Sequence, residues 1–459
     1  MTANPPARPN VIWVFGDQHR AAALGCAGDP NLATPNLDRL AAEGWRSTAA
    51  VAGSPLCGPF RGSLLTSQYP HRCVPGNDTP LPDDARTIAH AFADAGYHTA
   101  YFGKWHVACA GAAPAPPSVQ PPDAFSGPHR SAFATVPRRL RGGFHTRVGY
   151  DNNNAPFDTI VHGHDGDAEV THTRLPGYET DVLTDRFITH LRARAAAGQP
   201  FFAALSVQPP HDPYVAPARW MRRHRPGRVV LRPNVPAVPR VVEQARTELA
   251  GYYAAIECLD HNLGRIRAAL DTLGITDRTH IVFFSDHGDL HGSQGHFRKH
   301  APWEEAVRIP FIIGGMGVYG LHRGAEPLLI NHVDIAPTTL GLCGIDPPDW
   351  MCGTDFSGHR RRDRTRAQPP TAALLQYVEP TRWSKSTDRP WRGVVTADGW
   401  KYVCLEHQPW LLFNLNEDPY EQVNLALAPP WHAQRRALHQ VLRDLLDSTG
   451  DAFALSSLD

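Results

Sequence analysis

Two short apolar runs, Val11–Phe15 and His280–Phe284, constrain this chain more than any other feature. Both are rich in β-branched and aromatic residues and show no apolar–polar alternation. That is the pattern of strands covered on both faces, as in the centre of a parallel sheet layered by helices. Each run stops at a small residue followed by an acid: Gly16-Asp17-Gln18-His19 in one case, Ser285-Asp286-His287-Gly288-Asp289 in the other. In open α/β sheets the loops at the carboxyl ends of strands converge on the ligand. The two runs therefore predict that Asp17 and Asp286 meet at one edge, with Gln18 and His287 beside them, an arrangement suited to a divalent cation.

The rest of the chain supplies the layers. Thr34–Gly44 reads as a compact helix with Thr34 as N-cap, Pro35 at its first position and Gly44 as its stop. Thr87–Gly96 is a second helix, leading into a strand over Tyr97–Phe102 that ends at Gly103-Lys104-Trp105-His106. Glu179–Ala197 is helical, and Pro200–Val207 is a strand running into Gln208-Pro209-Pro210-His211-Asp212-Pro213-Tyr214. The clearest periodicity lies in Val241–Leu273, where Leu249, Tyr252, Ile256, Leu259, Leu263, Ile266 and Leu270 fall three and four apart and form a core stripe. This alternation predicts an α/β fold built on a large mixed, mostly parallel sheet flanked by helices.

Two stretches depart from it. From about 108 to 173 the composition turns to Ala, Pro and Gly, then Asn, His and Asp; we expect an irregular insert walling the substrate cleft, with His145, His162, His164 and His172 on its surface. Ser357–Pro370 is charged and reads as a linker. Beyond it, strand-like Ala373–Val378, Arg392–Val395, Trp400–Leu405 and Trp410–Asn414 precede a helix over Ala433–Leu446. The expected division is a catalytic α/β domain over 1–368 and a smaller C-terminal α+β subdomain with an antiparallel sheet over 369–459.

Charge excludes some partners: 45 basic and 45 acidic residues cancel, so no global field favours nucleic acid or an anionic membrane. No apolar run approaches a membrane span and the first ten residues are proline-rich and polar, so the expected location is the cytoplasm. Eight scattered cysteines lack zinc-site spacing and should be mostly reduced.

One cysteine stands apart. In Leu56-Cys57-Gly58-Pro59-Phe60-Arg61-Gly62-Ser63-Leu64-Leu65-Thr66, Gly58 and Pro59 fit a first helical turn. Cys57 then sits where free N–H groups and the positive helix end converge, with Arg61 one turn along. The Cys-x-Pro-x-Arg pattern resembles the signature of the sulfatase family of the alkaline-phosphatase superfamily. The likeness extends in order through Gly103–His106, Pro210–Tyr214, Ser285–Gly288, the Lys299 loop and Leu412–Pro419.

That resemblance implies an alkaline-phosphatase-like fold and hydrolysis of a small-molecule or saccharide sulfate ester by formylglycine, made from Cys57 by a maturation enzyme. It implies that Asp17, Gln18, Cys57, Asp286 and His287 hold one divalent cation, that Arg61 holds the nucleophile and that Asp286 accepts its proton. Lys104, Lys299, His211 and Asn77 would bind substrate, His211 would protonate the departing alcohol, and His106 would release sulfate. The commonest family pattern has a second Asp and an Asn where this chain has Gln18 and His287. Calcium is favoured, with manganese and magnesium as alternatives because imidazole suits softer ions. Two other readings share the fold: a phosphonate monoester or phosphodiester hydrolase, against which Lys104 and His106 argue, and a non-catalytic binder.

Overall fold

The two apolar runs lie side by side. In the computed structural model, which describes residues 8–108, 134–317, 320–381 and 389–455, strand β1 (Asn10–Gly16) pairs parallel with β8 (Thr279–Ser285), Gly16 opposite Ser285. The intervening strands are β2 (Trp45–Ser47), β3 (His98–Lys104), β4 (Thr146–Tyr150), β5 (Thr159–Asp165), β6 (Ala168–Leu175) and β7 (Phe201–Val207), followed by β9 (Phe311–Gly315) and β10 (Gly324–Glu326). They form one sheet in the order β10-β2-β9-β8-β1-β7-β3-β4-β5-β6. The run from β8 to β4 is parallel, and antiparallel pairs flank it on both sides. The mixed, mostly parallel sheet expected from sequence is the one observed.

Both faces of the central strands are apolar for a reason visible in β1. Val11, Trp13 and Phe15 enter one core with Phe60, Tyr101, Phe202 and Phe284, while Ile12 and Val14 enter the other with Leu205, Leu259, Leu263 and Phe283. Each fully buried large apolar side chain contributes about 1.5–3 kcal/mol, which is why neither face tolerates alternation. The first core is covered by α2 (Cys57–Thr66), α3 (Ile88–Asp94) and α8 (Ile335–Leu342). The second is covered by α1 (Pro35–Glu43), α4 (Glu179–Ala197) and the long α6 (Pro239–Thr272). The short helices α5 (Ala218–Met221) and α7 (Glu304–Val307) lie in the connections.

Thr34 stands at the N-cap of α1 but does not cap it. Its hydroxyl donates to Asp38, and the free N–H groups of Asn36 and Leu37 are taken instead by Asp260 of α6, at 3.0 and 2.8 Å. The cap is therefore tertiary, supplied across the helix pair.

The 108–173 segment differs from the irregular wall expected. Residues 109–133, Cys109 among them, lie outside the described residues, but the remainder supplies β4, β5 and the start of β6, which extend the main sheet. His162 and His164 are buried rather than on the surface; His162 accepts from the Val136 N–H and His164 contacts the Phe144 carbonyl. The expected linker also begins as structure. Ser357–His359 is a buried turn, and the buried Arg360 guanidinium donates to the carbonyls of His322 and Gly315.

The C-terminal sheet is antiparallel, in the order β11 (Ala372–Tyr377), β12 (Trp391–Thr396), β13 (Trp400–Leu405) and β14 (Gln408–Asn414). Helix α9 (His432–Thr449) covers one face. The other face packs on Val51, Leu56, Leu290 and Trp303, beside α2 and the Lys299 loop. Trp391 donates to the His300 carbonyl at 3.0 Å, and Lys401 donates to the Pro302 carbonyl at 2.9 Å.

Candidate active site

Four neighbouring parallel strands deliver the site. β8 ends at Asp286 and His287, β1 at Asp17 and Gln18, β7 leads to His211, and β3 ends at Lys104 with His106 two residues on. Their carboxyl ends are level, with Gly16 opposite both Val207 and Ser285, and Gly103 opposite Ser206. Gly103 has φ +100°, and a Cβ there would lie 2.0 Å from the Ser206 carbonyl oxygen, so the close approach of β3 to β7 beside Lys104 requires glycine. The fifth contributor is α2, which begins at Cys57 and is buried along its whole length.

Cys57 Sγ is the centre of the arrangement. It lies 3.2 Å from His287 Nε2, 3.0 Å from Lys299 Nζ and 3.7 Å from Asp17 Oδ1. One ligand atom from each of Asp17, Cys57, Asp286 and His287 falls within 4.8 Å of the others, and all four residues are buried. The histidine is prepared for coordination. Its Nδ1 is 3.0 Å from the Gly288 carbonyl, which can only accept, so Nδ1 carries the proton and Nε2 turns its lone pair into the cluster. Two carboxylates, an imidazole lone pair and the position-57 side chain fit a divalent cation.

The electrostatics separate the two acids. Burial alone would raise both. Lys104, Lys299, His211 and Arg61 more than offset it at Asp17 and hold that carboxyl well below its ordinary range, whereas burial and the Asp17 charge push Asp286 up to about 6. Lys104 Nζ pairs with Asp17 Oδ2 at 2.6 Å. Lys299 Nζ bonds the Gln18 Oε1 at 2.8 Å; burial opposes its charge, but Cys57 and Asp17 raise it further, so it stays an ammonium.

Arg61 contacts the two acids beside Cys57. No described hydrogen bond joins it to Cys57. Its Nη2 donates to Asp17 and Asp286 at 3.1 Å each, and its Nη1 donates to Ser206 Oγ and the Lys104 carbonyl at 2.8 Å each. The buried guanidinium thus ties the ends of β1, β3, β7 and β8 together.

The two histidines with proposed proton roles are each 8% exposed, more open than Asp17, Cys57, Lys104 and His287. His211 Nδ1 contacts the Asp212 carbonyl at 2.7 Å, which leaves Nε2 available. Burial and Lys299 lower its pKa to about 4. His106 has φ +54°; burial, Lys104 and Arg61 hold it well below the ordinary range, the neutral form a base requires. Asn77 Oδ1 accepts from the Gly58 N–H at 2.9 Å, which puts it at the amino end of α2, with only its Nδ2 left for a substrate.

Sequence reasoning assigns no role to three residues the structure brings in. Tyr101 and Ser206 brace Arg61, and Asp289 lies fully buried behind Gln18. Only Asp289 left a trace, as the second acid of the Ser-Asp-His-Gly-Asp run. Six of the ten non-glycine residues with positive φ among those described are in these loops: Gln18, His106, His291, Gln294, Arg298 and His300. That concentration of costly backbone is typical of a functional centre.

Comparison with known proteins points to one family. The profile of the family described as Sulfatase matches residues 9–345, and that of the N-sulphoglucosamine sulphohydrolase C-terminal region matches 292–448. The chain is 33% identical to the ulvan-active sulfatase of Formosa agariphila, over 98% of this chain and 83% of that one. A solved structure described with the metabolism of multiple glycosaminoglycans by Bacteroides thetaiotaomicron superposes with a TM-score of 0.82 at 27% identity, covering 97% of each chain. The phosphonate monoester hydrolase of Agrobacterium radiobacter shares the fold, with a TM-score of 0.75 at 23% identity over 96% of each chain.

Proposed function

The chain belongs to the sulfatase family and is a sulfuric ester hydrolase, and from its site we propose that it cleaves the S–O bond of a saccharide sulfate monoester with formylglycine formed at Cys57 and one divalent cation. The observation that carries this reading is the position of Cys57: at the first residue of α2, in contact with His287 and Lys299 and within 3.7 Å of Asp17. The saccharide is supported by relatives named for ulvan and for glycosaminoglycan metabolism.

Asp17, Asp286 and His287 would hold the cation together with the position-57 side chain and Gln18, and calcium suits the oxygen donors best. Bound there, the cation supplies positive charge that acidifies an adjacent hydroxyl and stabilises charge on sulfate oxygens. Hydrated formylglycine supplies two hydroxyls, one to attack sulfur and one whose loss of a proton expels sulfate as the aldehyde re-forms.

The chain's own groups account for the remaining charges and protons. Lys104 and Lys299 take the non-bridging sulfate oxygens, where negative charge accumulates. Asp286, kept as a carboxylate by the cation, accepts the proton of the attacking hydroxyl. His211 Nε2 gives a proton to the alcohol oxygen as the S–O bond breaks; the incoming sulfate anion favours the imidazolium that burial and Lys299 otherwise disfavour. His106, neutral in its surroundings, removes the proton of the second hydroxyl, and the C–O bond to sulfate then breaks.

Protein produced beside a formylglycine-generating enzyme tests the proposal. Mass spectrometry of the Cys57 peptide should show conversion to the aldehyde, and nitrophenyl sulfate should be hydrolysed much faster than the matching phenyl phosphonate ester. An unmodified thiol in fully active protein would remove the nucleophile, and faster phosphonate cleavage would assign the chain to the phosphonate hydrolases.

A further inference from the structure

Behind Gln18 lies a carboxylate held by four donors, with His291 Nε2 a further 3.4 Å from its Oδ2. Asp289 is fully buried. Its Oδ1 accepts from the backbone N–H groups of His291 and Arg298, each at 3.0 Å, and its Oδ2 accepts from the Tyr214 hydroxyl at 2.5 Å and from Gln18 Nε2. Three loops that carry site residues, those after β1, β7 and β8, therefore close on one acid. The Gln18 amide has a second neighbour on its other side, the ammonium of Lys299, 2.8 Å from Oε1.

The chemistry of those neighbours leaves the amide one orientation. Asp289 receives two N–H groups and a hydroxyl and so stands as an acceptor, while an ammonium only donates; the NH2 group therefore faces Asp289 and the oxygen faces Lys299, whose Nζ lies 3.0 Å from Cys57 Sγ. We propose that Asp289 is a positioning residue whose carboxylate fixes the Gln18 amide with Oε1 toward the cation-binding cluster. This gives the cluster a neutral oxygen ligand where an unconstrained glutamine would as readily present a proton-bearing nitrogen. The inference rests on the cation reading above for its consequence, but the hydrogen-bond polarity it describes does not depend on a bound ion.

The same polarity supplies the test. In Asp289→Asn the side-chain oxygen satisfies the two backbone N–H groups and the new NH2 group meets Gln18 Nε2, donor against donor. The amide of Gln18 then either keeps that mismatch or turns its nitrogen onto the Lys299 ammonium, and in either case its oxygen is no longer held toward the cluster from both sides. Partners of this kind behind metal ligands change affinity by about 10–100-fold. In Gln18→Glu a carboxylate faces a carboxylate, and there Asp289→Asn replaces the repulsion by a hydrogen bond. The effect of one substitution thus reverses sign with the residue at position 18, which a merely structural role for Asp289 would not produce.

Calcium titration by calorimetry and thermal unfolding of the purified wild type, both single variants and the double variant measure this. Asp289→Asn should weaken calcium binding about tenfold or more and lower Tm when residue 18 is glutamine, and should strengthen binding and raise Tm when it is glutamate. Losses of the same sign in both backgrounds would overturn the proposal. Should Asp289→Asn alone fail to fold, a folded double variant supports it and an unfolded one sinks it. Wild type that binds neither calcium nor manganese would refute the cation reading, while the pair of Tm differences would still decide whether Asp289 sets the amide.

Discussion

Asp17 and Asp286, the acids at the ends of two adjacent strands, accept from the same nitrogen of Arg61, each at 3.1 Å. Without that guanidinium buried Asp286 loses its bonded cation, and Asp17 keeps Lys104 at 2.6 Å and Lys299 at 3.9 Å. Removing one partner of a buried, hydrogen-bonded charge cluster typically costs about 3–5 kcal/mol. Arg61→Met in cation-free protein should lower stability by about that amount in a denaturant titration. Arg61→Lys should recover less than half, because one ammonium cannot reach both carboxylates, Ser206 and the Lys104 carbonyl at once. Stability unchanged in Arg61→Met would mean that the carboxylates are screened by something other than Arg61.

The opposed shifts of these acids give a pH dependence. Burial and the Asp17 charge raise Asp286 to about 6, and Asp17 is held well below its ordinary value, so between about 4 and 6 the folded site keeps a proton on Asp286 that the unfolded chain has lost. The Asp286 contribution to apo stability is thus full below about 4 and fades as pH rises through about 6. Cation binding has to displace that proton, so affinity should rise from pH 5 to pH 7 and level off above it. Calorimetric calcium titrations at pH 5, 6, 7 and 8 measure the curve. Asp286→Asn should abolish turnover, weaken binding and flatten the curve; a wild-type affinity constant from pH 5 to 8 would show that Asp286 is not the proton displaced.

Cys57→Ser should attack once and stop. A serine hydroxyl could form an O–S bond as the alcohol leaves, but the resulting ester has no second hydroxyl on the same carbon whose deprotonation by His106 could expel sulfate. Nitrophenyl sulfate should therefore give at most a single burst, with a sulfated peptide at position 57 on mass spectrometry. Sustained turnover by Cys57→Ser would show that release needs no gem-diol.

The strands that present Asp17 and Asp286 were legible because central parallel strands must be apolar on both faces, and few other five-residue runs in this chain meet that demand. The Cys57 helix was legible through Pro59 at its first turn. Strand β6 was hidden because it lies at the sheet edge and is mostly exposed, and β5 because the buried polar residues Thr159, His162 and His164 interrupt its apolar run. The linker reading failed at Arg360 because a buried arginine bonded to carbonyls of three different segments looks, in sequence, like a surface charge. Arg61 and Asp289 show the same limit at the site. Their residue types are visible in the motifs, but which loops they join depends on strand order, which no local pattern encodes.

His211 and Lys104 can be told apart by leaving group. His211 is braced at Nδ1 by the Asp212 carbonyl, which leaves Nε2 available, whereas Lys104 is fully buried against Asp17. A sugar alkoxide needs a proton as S–O cleavage proceeds, and positioned acid catalysis contributes about 10²–10⁴-fold; a nitrophenolate needs far less help. His211→Ala should therefore slow a saccharide or alkyl sulfate at least about 100-fold more than nitrophenyl sulfate. Lys104→Ala loses a clamp on sulfate oxygens common to all substrates and should slow both alike. The comparison is internal to each variant, so partial loss of folded protein cancels from the ratio. Equal losses on the two substrate types for His211→Ala would leave His211 as a brace of the Pro209-Pro210 loop and require another acid, and for that role Lys299 is poorly suited because Cys57 and Asp17 raise its pKa and hold its proton.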